Sequence, residues 1–403
     1  MKRFVAVREF LGLNRNVGVL ALSIFGLGLG EEMWQSYLPK YLMALGASSV
    51  VVGVFGSCRD LLDSLYQYPG GWLADRFGRK QALMLFTLVA MTGYAVYALA
   101  FHWAIAFAGL VLAMAWKSGA FATTFAVIGD SLPEGKRAIA FSVQSILLRV
   151  PRVIGAPIGG LLIVWLGVTQ GIRIALIATL VLAIGVVIAQ RRGYREKKSD
   201  AQEFAVASAF DVLRAMPAGL KRLLISDCLV RIGEGIAGSF IILYVTDVQG
   251  YRSATYGVLY AIQMIVAISL YLPVGKLADM TGRRPLVAVT FLWFALFPLA
   301  VRFAHGMAAL VGAFIVGGLK EMGEPARKSM IVDLSAETQR GRAVGVYYAI
   351  RNFLVVPAAT IGGLLWRRSP ELTLETACAV GLVGVVFFLI ASRGETHYEM
   401  GHA

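Results

Sequence analysis

Gly71-Trp-Leu-Ala-Asp-Arg-Phe-Gly-Arg-Lys80 and Gly275-Lys-Leu-Ala-Asp-Met-Thr-Gly-Arg-Arg284 are the two stretches that decide the fold. They share the pattern GxLADxxGR, closed by a second basic residue, and lie 204 residues apart. Other pairs recur in order at an offset of 203: His102 with His305, Lys117 with Lys320, Asp130 with Asp333, and Gly159-Gly160 with Gly362-Gly363. Chance supplies one such pair, but not an ordered series at nearly constant offset. The chain is an internal repeat.

Working outward from each copy, the sequence is apolar. Of 403 residues, 58% are hydrophobic and only 15% charged, and the mean hydropathy is +0.71. These values exclude a soluble enzyme, a disordered chain and a secreted disulfide scaffold. Cys58, Cys228 and Cys378 sit singly within apolar runs and form no framework. Runs of spanning length fall near 17–39, 50–70, 81–101, 104–128, 138–166 and 172–190, then 222–246, 254–274, 285–303, 306–331, 342–366 and 374–392. Inside hydrocarbon a backbone must satisfy its own hydrogen bonds, so each run is expected to be a helix. The fold class is an all-α membrane protein of twelve transmembrane helices in two parallel six-helix repeats. Expected domains are 1–190, a linker at 191–221, and 222–403, with Val206, Phe210 and Leu213 marking an interfacial helix or else a flexible linker.

The net charge of +14 has a topological reading. Of 38 Lys and Arg, 23 fall in segments that share a side with the N-terminus, and 6 fall opposite. The positive-inside rule then puts both termini in the cytoplasm of a multi-pass cytoplasmic-membrane protein, its loops against an anionic inner leaflet. Nucleic acid is not needed as a partner. The basic start, followed by an apolar run reaching Glu31-Glu32 without a small-residue cleavage site, reads as a retained first span.

The GxLADxxGR loop between the second and third helices of each repeat resembles the hallmark of the major facilitator superfamily, and the resemblance covers nearly the whole chain. It implies two bundles that alternate access to a central cavity, and a conformational latch between them. The latch residues would be Gly71, Asp75, Gly78, Arg79 and Asp130 in the first repeat, and Gly275, Asp279, Gly282, Arg283 and Asp333 in the second. Positive-inside loops account for the arginines but not for the paired aspartates.

After the loops are assigned, nine basic and eight acidic residues remain inside spans. Each costs roughly 2.5–3.5 kcal/mol at a helix centre, so most must pair or line a wet cavity. Spacing at i,i+4 pairs Arg59 with Asp63, Asp227 with Arg231, and Glu324 with Lys328. Arg327 and Lys328 are expected to snorkel. The resemblance places the first, fourth, seventh and tenth helices around the cavity, aided by the second, fifth, eighth and eleventh. The substrate and proton cavity then comprises Glu31, Glu32, Arg59, Asp60, Asp63, Lys117, Arg149, Arg152, Glu234, Gln263, Lys320, Glu321, Glu324, Arg351 and Asn352. Glu234 is the first candidate for a titrating carboxylate, ahead of Asp60 and the pairs Glu31/Glu32 and Glu321/Glu324.

Lys117 stands where the superfamily's efflux branch carries an arginine, and Gly155-Ala-Pro157-Ile-Gly159-Gly160 is similar to its antiporter motif with the proline displaced by one. No HExxH, GxSxG, cysteine cluster or Walker A sequence occurs, so neither a membrane enzyme nor an ATP-driven pump is expected. The expected function is a monomeric secondary transporter without cofactor, exporting a small polar or charged organic solute against protons. The alternative is proton-coupled uptake of an anionic or zwitterionic solute, which suits Lys117, Arg149, Arg152 and Arg351.

Overall fold

The structure, a computed structural model, describes residues 15–119, 134–194, 209–335 and 340–391. Asp130 lies outside these residues, and so do the side chains of Asp75 and Asp279. Each expected span carries a helix. The first repeat has α1 (Arg15–Glu32), α2 (Ser49–Phe77), α3 (Arg79–Leu99), α4 (Trp103–Met114), α5 (Glu134–Leu166) and α6 (Val168–Gly193). The second has α7 (Ala218–Gly238), α8 (Ser253–Thr281), α9 (Arg283–Phe303), α10 (Met307–Leu319), α11 (Arg340–Val355) and α12 (Pro370–Ala391). No strand occurs among the described residues.

Among the described residues, seven helical stretches are long and apolar enough to cross a membrane unaided, and α7 with its bent continuation Ile241–Val248 makes an eighth. Among the described residues α1 and α2 do not pass this test, and Trp103–Gly119 and Met307–Leu319 are apolar but shorter. They are the ones that hold or adjoin Glu31 and Glu32, Arg59 to Asp63, Lys117, and Lys320 with Glu321. Charge and helix irregularity therefore go together. α1 stops at Glu32 in a turn, and Gln35–Tyr37 forms a tighter 3₁₀ turn. α4 widens into a π-helical turn, Ala115–Gly119, around Lys117. α7 bends by 42° before Ile241, and α10 gives way to a turn that restarts as the helix Glu324–Asp333.

The chain divides into two compact units. Unit 1 comprises residues 1–47, 61–203 and 251–261; unit 2 comprises 48–60, 204–250 and 262–403. The first part of α2 thus belongs to unit 2 and the first part of α8 to unit 1. Within unit 1, α1 packs on α5 and α6, and α3 on α4 and α6. Unit 2 repeats the scheme: α7 packs on α11 and α12, and α9 on α10 and α12. The linker helix Ala209–Ala215 is anchored to unit 2, where Val212 and Met216 are buried in the core with Leu220 and Leu223.

Lipid tails give apolar helices no hydrophobic reason to associate, so close approach and hydrogen bonds must hold the units together. Gly159 lets α5 run so near the segment after α1 that a Cβ would collide with the Met33 carbonyl. In the same place the buried Tyr37 Oη donates to the Ala156 carbonyl at 2.6 Å. The repeated loop has its own requirement. Gly78 and Gly282 cap the N-termini of α3 and α9 at φ +86°, ψ 152° and φ +83°, ψ 157°, a region open essentially to glycine alone. The G-R pair of the motif is therefore a turn that starts a helix.

Gly282→Ala is expected to destabilise the protein by about 1–3 kcal/mol through backbone strain. Gly312→Ala, mid-helix with open space around its Cβ, should be neutral or stabilising by up to about 1 kcal/mol. Thermal unfolding in detergent compares the two; equal melting temperatures would contradict the assignment of strain to the loop.

Candidate functional site

In unit 1 the charges gather at the broken end of α1. Glu31 and Glu32 are both buried there. Tyr94 Oη, from α3, donates to Glu31 Oε1 at 2.5 Å. Arg152 Nε, from α5, donates to Glu32 Oε1 at 3.0 Å. The π-helical turn aims Lys117 Nζ at Gln35 Oε1, 2.9 Å away, while the adjacent Ser118 Oγ donates to Asp63 Oδ1 at 2.5 Å. Trp34 is fully buried, edge-on to Tyr94 and beside Tyr97. Arg149 is half-buried on α5.

Unit 2 holds a denser network. Asp227 on α7 is inaccessible to solvent, and Arg327 on the restarted helix Glu324–Asp333 is 2% exposed; the two form a direct ion pair. Tyr347 Oη donates to the same Asp227 oxygen at 3.0 Å, and Arg351 and Arg231 approach the carboxylate at 3.6 and 3.8 Å. Glu324 accepts from Arg327 at 2.7 Å and from Arg231 at 3.2 Å. Glu234 is bridged by Arg231 at 2.7 Å and by Lys320 at 2.8 Å. Lys320 also lies over the Phe294 and Phe297 rings, and Arg351 over Tyr348. Asn352 accepts from Arg351 at 2.8 Å, the buried Gln263 lies against Gly317, and Glu321 is half-buried in the turn after α10.

Several expectations change. Arg59 does not pair with Asp63; it meets the neighbouring Asp60 at 3.3 Å, while Asp63 turns to Ser118. Arg327 does not snorkel, because a carboxylate within the bundle offers it a stronger partner than the interface does. Lys328 does reach out, 57% exposed, and meets Glu324 at 3.4 Å. Glu234 has a second cation, Lys320, besides the one three residues away. Asp227, Tyr94 and Tyr347 join these clusters although the sequence pattern does not single them out. Tyr94 and Tyr347 look like apolar-helix residues, and Asp227 with Arg231 looks like a closed local pair. Of the loop aspartates, Asp333 forms an ion pair with Arg283.

The Major Facilitator Superfamily family model matches residues 20–226 and 223–399. The chain belongs to this superfamily. It is therefore a multi-pass membrane transporter and not an enzyme. An uncharacterized MFS-type transporter of Methanocaldococcus jannaschii is 21% identical over 391 residues, covering 94% of this chain and 95% of that one. The multidrug resistance protein MdtH of Proteus mirabilis is 23% identical over 356 residues, covering 83% and 82%. Among solved structures, the nucleoside transporter NupG superposes with a TM-score of 0.78 at 12% identity, covering 94% of this chain and 100% of that one.

The charge network in unit 2 is also a structural risk. Removing one partner of a buried ion pair leaves the other uncompensated, a loss of about 3–5 kcal/mol. Arg327→Gln should therefore lower the thermal stability of purified protein by that order. Lys328→Gln, at an exposed pair, should change it by at most about 1 kcal/mol. Melting curves that fail to separate the two variants would rule out the ranking.

Proposed function

We propose that the protein is a proton-coupled secondary exporter of a small polar or charged organic solute, acting as a monomer in the cytoplasmic membrane with both termini inside. The observation that carries this reading is the pair of buried charge clusters, one in each unit, on helices broken at the charges. Interrupted helices and intramembrane ionisable groups mark substrate and ion sites in transporters. Resemblance to a multidrug resistance protein over most of both chains supports export. In this reading the two six-helix units rock about the bound solute, and the GxLADxxGR loops act as the latch.

A specific imbalance favours an anionic group on the solute. The unit 2 network sets Asp227, Glu234 and Glu324 against Arg231, Lys320, Arg327 and Arg351, three negative charges against four positive. Arg351 is the least neutralised, with its carboxylate 3.6 Å away and Asn352 as its closer partner. A carboxylate or phosphate on the solute would restore balance there. The same preference fits the second reading, proton-coupled uptake of an anionic or zwitterionic solute.

Reconstitution into proteoliposomes with an imposed pH gradient tests direction against a labelled panel of nucleosides, peptides, organic anions and cationic drugs. Solute moving opposite to protons supports export; movement with them selects uptake. Arg351→Gln is expected to weaken anionic solutes at least tenfold and leave cationic ones less affected. Arg283→Ala, which removes the ion pair to Asp333, should slow turnover while leaving equilibrium solute binding intact. Selective loss of binding in that variant would contradict the latch.

A further inference from the structure

The two units differ at the end of the bundle where the linker enters α7. α7 corresponds to α1 at the offset of 203, with Glu234 matching Glu31, Ser226 matching Ser23 and Arg222 matching Val19. In unit 1 the space beside Ser23 is filled by its own side chains. Gln190 of α6 donates to Ser23 Oγ and to Thr87 Oγ1, each at 3.2 Å. Val19 lies so near Gly193 that a Cβ there would collide with it. In unit 2 the space beside Ser226 is an open groove of about 230 Å³, bounded by α7, the restarted helix Glu324–Asp333 and α12. Leu223, Met330 and Phe388 give it apolar walls, and the exposed Arg222 stands on its rim.

The groove joins two chemistries. Arg222 Nη1 donates to the carbonyl of Ala391, the last residue of α12, at 3.1 Å, which holds the guanidinium across the groove's end. A guanidinium carries five N–H donors in a planar fork, so it can serve a carbonyl and an anion together. Lys221 Nζ donates to the Arg214 carbonyl at 2.9 Å and ties the linker helix to the same end. Over residues 209–222 the chain carries Arg214, Lys221 and Arg222 against one acid, Asp211. On the neighbouring outer faces of α7 and α12, Ile225, Leu389 and Ile390 are 46%, 49% and 64% exposed, as suits a surface against hydrocarbon. A soluble anion would meet the cations and leave the apolar walls wet. An alkyl chain would cover the walls and leave the cations unmet. An amphiphile with an anionic head satisfies both.

We propose that this groove binds an anionic phospholipid, its phosphate held by Arg222 in the positive field of Lys221 and Arg214, and the start of an acyl chain along Leu223, Met330 and Phe388. Ser226 immediately precedes Asp227, and Met330 lies three residues after Arg327. The lipid therefore braces, from outside, the two helices that carry the buried Asp227–Arg327 pair. Unit 1 meets the same need with Gln190 and Val19. The leaflet that supplies the lipid rests on the topology in the proposed function; the groove and its chemistry do not.

The test uses the full chain purified in a neutral detergent and titrated with phosphatidylglycerol, read by lipid retained in native mass spectra and by the thermal midpoint. Binding in detergent is indifferent to topology, so its failure is distinct from a failure of the transport reading. Phosphatidylglycerol should be retained and raise the midpoint, whereas phosphatidylcholine of the same chains and inorganic phosphate should do neither. Arg222→Gln is expected to weaken phosphatidylglycerol by about tenfold, the worth of one hydrogen bond to a charged group. Arg191→Gln, which removes an exposed charge from the last turn of α6 in unit 1, should leave it unchanged. Equal retention of phosphatidylcholine, equal stabilisation by phosphate, or an equal loss in Arg191→Gln overturns the proposal. Should Arg222→Gln not fold, the wild type decides with phosphatidylglycerol bearing a photoreactive group in its acyl chain. Labelled peptides should contain Leu223, Met330 or Phe388, and labelling that avoids all three overturns the site.

Discussion

A charge inside a bundle of membrane helices must be met by an opposite charge, by hydrogen bonds or by a proton, and the rest of this molecule depends on how that demand is met. Hydrocarbon offers no solvation, so an unmatched charge disfavours insertion by several kcal/mol. The Asp227–Arg327 pair shows the demand at its strictest, since both side chains are almost wholly buried. Around it, Tyr347 donates to the same Asp227 oxygen, Glu324 accepts from Arg327, and Arg351 and Arg231 stand 3.6 and 3.8 Å from the carboxylate. Three helical elements are tied together at one depth as a consequence. The solute, in the proposed function, has to compete with or complete this network.

The repeat shows how one backbone plan serves two electrostatic arrangements. Equivalent helices pack in equivalent pairs in both units, and equivalent glycines start α3 and α9. The side chains diverge where the charges lie. Asp227 and Arg231 of α7 correspond to Ile24 and Gly28 of α1. Loss of the arginine side chain in unit 1 removes a cation from the neighbourhood of the shared glutamate, and a small residue there accepts Pro151 of α5 at close range instead. The second unit is wired as a closed ion network. The first keeps a carboxylate with a hydroxyl partner.

Fold and site were legible in the sequence to different depths, for a physical reason. Spans follow from composition and length, which the bilayer reads residue by residue, and the twelve helices fall where the apolar runs lie. The turn conformation of Gly78 and Gly282 was implicit in a glycine placed directly before a basic helix start. Side-chain partnership is a tertiary property, and spacing along one helix was a poor guide to it. Arg59 and Asp63 have the ideal i,i+4 separation, yet each has a different neighbour, because Ser118 on another helix offers Asp63 a short hydrogen bond. Arg327 looked like an interfacial cation because its helix position is near a loop; the carboxylate that captures it is 100 residues away. Tyr94 carries no sequence signal, because its partner Glu31 lies on another helix, 63 residues away.

Charges and irregular backbone fall on the same helices because each makes the other tolerable. A π-helical turn or a break frees backbone groups and opens space, and polar side chains are what can fill that space without a desolvation loss. Such helices hold themselves in a membrane less well, and among the described residues α1 and α2 fall short as unaided spans. α3, α6, α9 and α12, the most hydropathic of the long spans, pack against α4, α1, α10 and α7 respectively. The division of labour follows from the physics of insertion. Helices that lipid stabilises can be rigid and featureless, and the stability they supply lets the others carry ionisable groups at depths where a proton or a solute can change the balance.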